Sequence, residues 1–170
     1  VRAIASHVDP AQIIKSVVNS IRSTFRADAI YIYQKEPSSM ELRLVQSAAL
    51  KTERSTEATD VPSDPEMDLI RRSVGSGRIL GCGIEGVQET ELDLEFAALC
   101  VPMMSGVRNL GCIYLARSEL GNWLDVTDVL FIQGLATQLA VALDRAILGE
   151  QERQSQEARR QKLRVEFDTL

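Results

Sequence analysis

From Trp123 onward the chain carries one helical pattern that is too long for a single small domain to bury. It opens on a start signal, with Asp125 in the capping position and Asp128 three residues on as its capping-box partner. Leu124 is placed to staple against Val129. Val129, Ile132, Leu135, Ala136, Leu139, Leu143 and Ile147 then recur at helical spacing and demand a partner surface. The pattern runs on as GEQERQSQEARRQKLRVEFDTL, a charged stretch with little apolar surface of its own. A helix that packs on a core and then leaves it is a lever, and a lever points to a regulatory module.

The rest of the chain must supply the core. Its 170 residues suit one domain, and at 45% hydrophobic and 25% charged it can bury a core of ordinary size. A net charge of -5 argues against nucleic acid or an anionic membrane as partner. The longest unbroken apolar run, 96–104, is about half the length of a membrane span. No secretory h-region opens the chain and its first residue is a valine, so it reads as a piece of a longer cytoplasmic protein. Cys82, Cys100 and Cys112 lie in apolar runs without CxxC spacing, as small hydrophobes in a reducing compartment would. The single histidine, His7, excludes a His-rich metal site, and the residues name no cofactor.

Taken in order, Asp9-Pro10 opens a helix whose inner face is Ile13, Ile14, Val17, Val18, Ile21 and Phe25. Ahead of it, residues 1–8 read as the end of an upstream linker helix. Residues 29–34 (AIYIYQ) are β-branched and aromatic, hence a strand, and Met40, Leu42 and Leu44 alternate with polar neighbours as its hairpin partner. After a polar stretch from Lys51 to Ser63, Asp64-Pro65 repeats the cap-plus-proline signal. A short helix follows with Met67, Ile70 and Val74 inward, stopped by Gly75 and Gly77. Arg78 to Gly83 is a short strand, and Glu85 to Glu95 reads as an acidic loop. Residues 96–104 and 110–117 are apolar without alternation, which predicts two central strands joined by a turn at 105–109. The order α-β-β-α-β-β-β-α predicts an α+β fold with a mostly antiparallel sheet and the first and last helices on one face. The irregular helix and loop segment covers the other.

Two segments resemble the GAF domain family. LCVPMMSGVRNLGCIYLARS is similar to its apolar strand ending in Val-Pro, followed by a tight turn and a Leu/Ile-Gly-x-Ile/Leu-x-Leu strand. In WLDVTDVLFIQGLATQLAVALDRA, residues Gly134 to Leu143 resemble the closing Leu-Ala-x-Gln-Leu/Ile-Ala-x-Ala helix of that family. With the first helix and the AIYIY strand, the resemblance spans about residues 9 to 148, so 9–148 reads as the GAF-like domain and 149–170 as a C-terminal signalling helix or coiled-coil linker. The resemblance implies a profilin-like architecture with a pocket on the face opposite the terminal helices. It also implies a sensory or dimerisation module of a bacterial signalling protein, whose output domain is missing from this piece.

The chemistries that the resemblance suggests can be weighed on residues. Cyclic-nucleotide binding in the family goes with a spaced Asn-Lys-Phe-Asp-Glu set, whereas this chain reads ARSELGNWLD after its last strand. A bilin would want a cysteine near a histidine in the middle segment, where Ser63-Asp64-Pro65 is explained as a helix cap. Haem fits no better, since His7 precedes the domain. Free methionine sulfoxide reduction needs an exposed, low-pKa thiolate, and the three cysteines lie in apolar runs. No catalytic or metal-binding residue is therefore assigned. On alternating strands Tyr31 and Tyr33 share a face, as do Cys112 and Tyr114. We read Tyr31, Tyr33, Ile70, Val74, Ile79, Cys112 and Tyr114 as the face toward a small-molecule effector, with core tyrosines as the plainer alternative.

Counting heptads on the exit helix from Leu135 gives a seam of Leu135, Leu139, Ala142 and Ala146, resuming after a polar interval at Leu163, Phe167 and Leu170. A homodimer through a weak parallel coiled coil follows from that count. Three readings remain: a sensor that passes a signal through its last helix, a ligand-free dimerisation spacer, and a cysteine-dependent reductase.

Overall fold

Capping decides where each helix begins. The structure, a computed structural model, describes residues 9–49, 61–89, 96–118 and 123–169. The proposed linker residues 1–8, most of the polar stretch after Lys51, the end of the acidic loop and Leu170 lie outside them. Helix α1 (Pro10–Phe25) starts at Asp9, whose carboxylate accepts the Ala11 N–H at 3.1 Å. In α2 (Asp64–Ser76) the cap is Ser63, one residue earlier than the Asp64-Pro65 pair suggests, and its N–H donates to Glu66 Oε2 at 2.7 Å. Gly77, at φ 66°, ends that helix in the left-handed conformation that glycine tolerates best. Helix α3 (Val126–Asp168) has the reciprocal capping box between Asp125 and Asp128, at 2.8 and 3.0 Å.

Six strands form one sheet: β1 (Ala29–Lys35), β2 (Leu42–Ala49), β3 (Leu80–Cys82), β4 (Gln88–Glu89), β5 (Ala97–Ser105) and β6 (Arg108–Arg117), in the order β2-β1-β6-β5-β3-β4. All neighbours are antiparallel except β3 and β4. The two apolar runs without alternation, β5 and β6, are central, as their two-sided burial requires. Several strand boundaries differ from the sequence reading, and β3 is only Leu80–Cys82 where Arg78 to Gly83 was read. Strand β2 runs on to Ala49, and Gln88–Glu89 pairs with β3 where an acidic loop was expected. Pro102 sits inside central β5, but β3 pairs with that strand only as far as Cys100. The proline therefore costs no ladder bond on that side.

The alternation of strand residues sorts the core onto two faces. On one, Ile30, Ile32, Leu99, Val101, Ile113 and Leu115 meet α1 and the first half of α3. The buried face of α1 is Ile14, Val17, Val18, Ile21 and Phe25, and that of α3 is Val129, Ile132, Ala136, Leu139, Ala140 and Leu143. Trp123 Nε1 donates to the Phe25 carbonyl at 2.6 Å and the Phe25 and Phe131 rings lie 5.8 Å apart, which ties the two helices together at one end. Helix α2 covers the other face.

Helix α3 has 43 residues, roughly 65 Å at 1.5 Å per residue. Every residue of its second half, 149–169, is exposed. By length and composition α3 could cross a membrane, yet a third of its apolar window is buried within the domain, as in a core helix.

Candidate functional site

The face under α2 gathers most of the residues expected there. Registers Tyr31↔Tyr114, Tyr33↔Cys112 and Cys100↔Tyr114 put three aromatic rings and two thiols on adjacent strands, all pointing toward α2. Tyr31 and Tyr114 stack with ring centroids 5.9 Å apart. Ile70 and Val74 pack on this cluster together with Leu69, Leu80 and Ala98. Ile79 does not join them. It packs against the opposite cluster, as alternation with its neighbour Leu80, which faces α2, requires.

Three polar contacts that sequence reasoning missed hold α2 in place. Tyr114, fully buried, donates its hydroxyl to Glu66 Oε1 at 2.6 Å, and the other oxygen of that carboxylate accepts from Ser63. One carboxylate thus caps α2 and bonds the helix to the sheet. Ser73, the buried polar residue of the cluster region, donates its hydroxyl to the Arg78 carbonyl at 2.7 Å, with the Cys100 carbonyl across on β5 as the longer second acceptor at 3.2 Å. At the C-terminal end of α2, Asn109 Nδ2 donates to the Val74 carbonyl at 2.6 Å. The legible signal was Glu66 three residues after Ser63; nothing in the sequence marks Ser73 or Asn109.

The hairpin that carries Asn109 also reaches α3. Arg108 pairs with Asp144 at 2.6 Å, and Ser105 donates to the second oxygen of Asp144 at 3.1 Å. Asp144 lies just before the helix becomes bare. The β5–β6 turn therefore touches both the cover of the tyrosine face and the exit of the helix. Gly111, at φ 139°, follows this turn, and a Cβ there would collide with the Tyr33 carbonyl.

Burial sets the acid–base character of the face. It pushes the Tyr114 phenol well up, helped by the neighbouring Glu66 carboxylate, and it raises Tyr33 as well. A hydrogen bond with Cys100, then burial, raises the Cys112 thiol. These are neutral hydroxyls and, at Cys112, a neutral thiol, the reverse of an activated thiolate. Among the described residues, no group of three or more His, Cys, Asp or Glu is placed to hold a metal.

Among the described residues the tyrosine face is filled by α2 side chains, and two hollows open elsewhere. One is a solvent-open trough beside the bare helix, between Arg153 and Phe167. The other lies between α1 and α3, lined by Ile13, Val17, Ser20, Leu135 and Gln138. Of the expected seam, Leu135 and Ala142 are half-buried, Ala146, Leu163 and Phe167 are exposed, and Leu170 lies outside the described residues. Leu139 is 0% exposed, spent on the protein's own core.

With this geometry in hand, the sequence model of the family described as "GAF domain" matches residues 9–145. The fold is similar to the GAF domain/HD domain protein from Geobacter sulfurreducens (TM-score 0.64, 16% identity, covering 84% of this chain and 96% of that one). It is also similar to the GAF-B domain of DevS from Mycobacterium smegmatis (TM-score 0.60, 18% identity, 85% and 99% covered). A third likeness is to a type II free methionine-R-sulfoxide reductase from Thermoplasma acidophilum (TM-score 0.57, 14% identity, 81% and 96% covered). At these identities the structures speak for the fold alone. No curated protein matches the chain.

Proposed function

Because this chain belongs to the GAF domain family, as the match over residues 9–145 shows, we propose that it is a non-catalytic regulatory module of a bacterial signalling protein. It acts as a homodimer in the cytoplasm, where its three thiols stay reduced. A small effector binds the tyrosine face by displacing α2, and α3 carries the change to a covalently linked output domain. The observation that carries this reading is α3 itself: its first half is core and, among the described residues, its second half is exposed throughout. A lone exposed helix of that length is marginal in water, so it calls for a partner. Tyr31, Tyr33, Ile70, Val74, Cys112 and Tyr114 form the effector side, with Ile79 outside it.

Catalysis through the two sheet cysteines is disfavoured by their burial. Cys100 and Cys112 are 0% exposed, and Cys112 is held as a neutral thiol. One observation favours a second reading, a ligand-free dimerisation spacer: Leu69, Ile70 and Val74 already fill the tyrosine face. Native mass spectrometry of freshly purified protein separates the two. A retained small molecule, lost on replacing Tyr114 with a smaller residue, supports the sensor. Mass equal to the bare chain in every preparation, with no small molecule from a metabolite panel shifting the melting temperature, sinks it in favour of the spacer.

A further inference from the structure

We propose that the dimer is made along the outer ridge of α3, a stripe distinct from the Leu135–Leu139 seam, with a second copy lying parallel and in register. This rests on the dimeric reading above. On the domain-borne half, Leu130, Val141 and Leu148 are 60, 36 and 51% exposed on the side of the helix away from the sheet. Gly134 and Thr137 lie between them, and the space beside Gly134 is open. Residues 130, 134, 137, 141 and 148 keep the alternating four-three spacing of a coiled-coil seam. Asp144 falls in the same frame but is turned aside to Arg108 and Ser105. The small residues let a second backbone come close.

The same frame continues without a break onto the bare half as Gln151, Ser155, Ala158, Lys162 and Val165. Charge separates it from the alternative. In a parallel pair, the residue just before each a position faces the partner residue five places on. In the Leu130 frame those pairs are Gln154 with Arg159 and Gln161 with Glu166, free of like charges. In the Leu135 frame they are Glu152 with Glu157 and Arg159 with Arg164, and Arg153 and Arg160 would each meet their own copy across the seam. That frame also needs Leu139, which is buried. Lys162 is the one charged residue the Leu130 frame leaves at an a position on the bare half, the kind of residue that fixes register at a cost in stability.

The occupant follows from the length of the stripe. A second copy lying parallel sets Leu130, Val141 and Leu148 against the same residues of its partner and the bare half against the bare half. An antiparallel copy would instead set Leu130 and Val141 against the partner's charged stretch GEQERQSQEARRQK, where apolar contact is lost.

Disulfide cross-linking in the full 170-residue chain tests this, with the unmodified chain giving the background from Cys82, Cys100 and Cys112. Val141→Cys and Ala158→Cys should form covalent dimers at least about tenfold faster than Ala142→Cys and Arg160→Cys, because only the first pair brings the two sulfurs within bonding geometry. Val141→Glu, at an exposed site, should shift sedimentation toward monomer while leaving the melting temperature of the domain nearly unchanged. A dimer that cross-links faster through Ala142→Cys or Arg160→Cys overturns the ridge and leaves the dimeric reading standing. A chain that sediments as a monomer at high micromolar concentration overturns both.

Discussion

The two faces of the sheet are built differently. Under α1 and α3 the buried layer is apolar, with Ile21, Ile32, Ile132 and Leu139 all fully buried, and the polar ties, Trp123 to the Phe25 carbonyl and Asp144 to Arg108 and Ser105, lie towards the ends of the contact. Under α2 the apolar layer is thinner and is tied by named polar bonds, from Tyr114 to Glu66, from Ser73 to the Cys100 carbonyl, and from Asn109 to the Val74 carbonyl. Apolar burial is non-directional and is lost only as the area separates, whereas a polar latch breaks in one step. The first face holds the fold. The proposed displacement of α2 requires that the second can open without unfolding the protein.

Substitutions should break this contrast in a definite order. Leu139→Ala, which hollows the α3 face, is expected to lower stability by about 2–5 kcal/mol in urea denaturation. Tyr114→Phe removes the donor to a partly buried carboxylate and should cost about 1–3 kcal/mol. It should also change the response to alkali. The Tyr114 phenol is raised in the folded state above its ordinary value of 10.0, so its contribution is full below that pH and is lost as pH climbs past it, when the unfolded chain ionises first. Cys112, raised above its ordinary 9.0, gives a similar loss beginning lower. Stability should therefore fall from about pH 9 upward, and Tyr114→Phe should flatten the upper part of that fall.

Smaller effects sharpen the comparison. Ser73→Ala removes a donor inside the second face and should cost about 1 kcal/mol. Asp144→Asn weakens a half-exposed pair with Arg108 and should cost less than about 1 kcal/mol. Its informative readout is hydrogen exchange, which should quicken in α3 near the start of the bare half and leave β5 and β6 unchanged. If Asp144→Asn instead destabilised the whole domain as much as Leu139→Ala, the contact of the hairpin with α3 would belong to the core and not to the helix exit alone.

Much of this arrangement could be read from residues alone, for physical reasons. Helix spans were legible because caps such as Asp9 and Asp125 and the 3.6-residue stripes agree. The division of the sheet followed from alternation, which put Ile30 and Ile32 opposite Tyr31 and Tyr33. Four things escaped. Strand β4 is only Gln88–Glu89, held by pairing to β3 with no pattern of its own. Ile79 precedes the three-residue β3, too short a strand for the sequence to say which of Ile79 and Leu80 faces α2. Leu139 belongs to both the core stripe and the heptad count from Leu135, and sequence spacing cannot tell which surface claims it. Long-range polar bonds such as Ser73 to Cys100, 27 residues apart, leave no local signal.

Native-state hydrogen exchange on the whole chain tests the division of labour between the two faces most directly. The account predicts that α2 amides exchange through an opening that costs clearly less free energy than global unfolding, while α1 and the first half of α3 exchange only with β5 and β6. If α2 were protected to the same level as β5 and β6, with the same dependence on denaturant, the second face would be as fixed as the first and could not admit an effector.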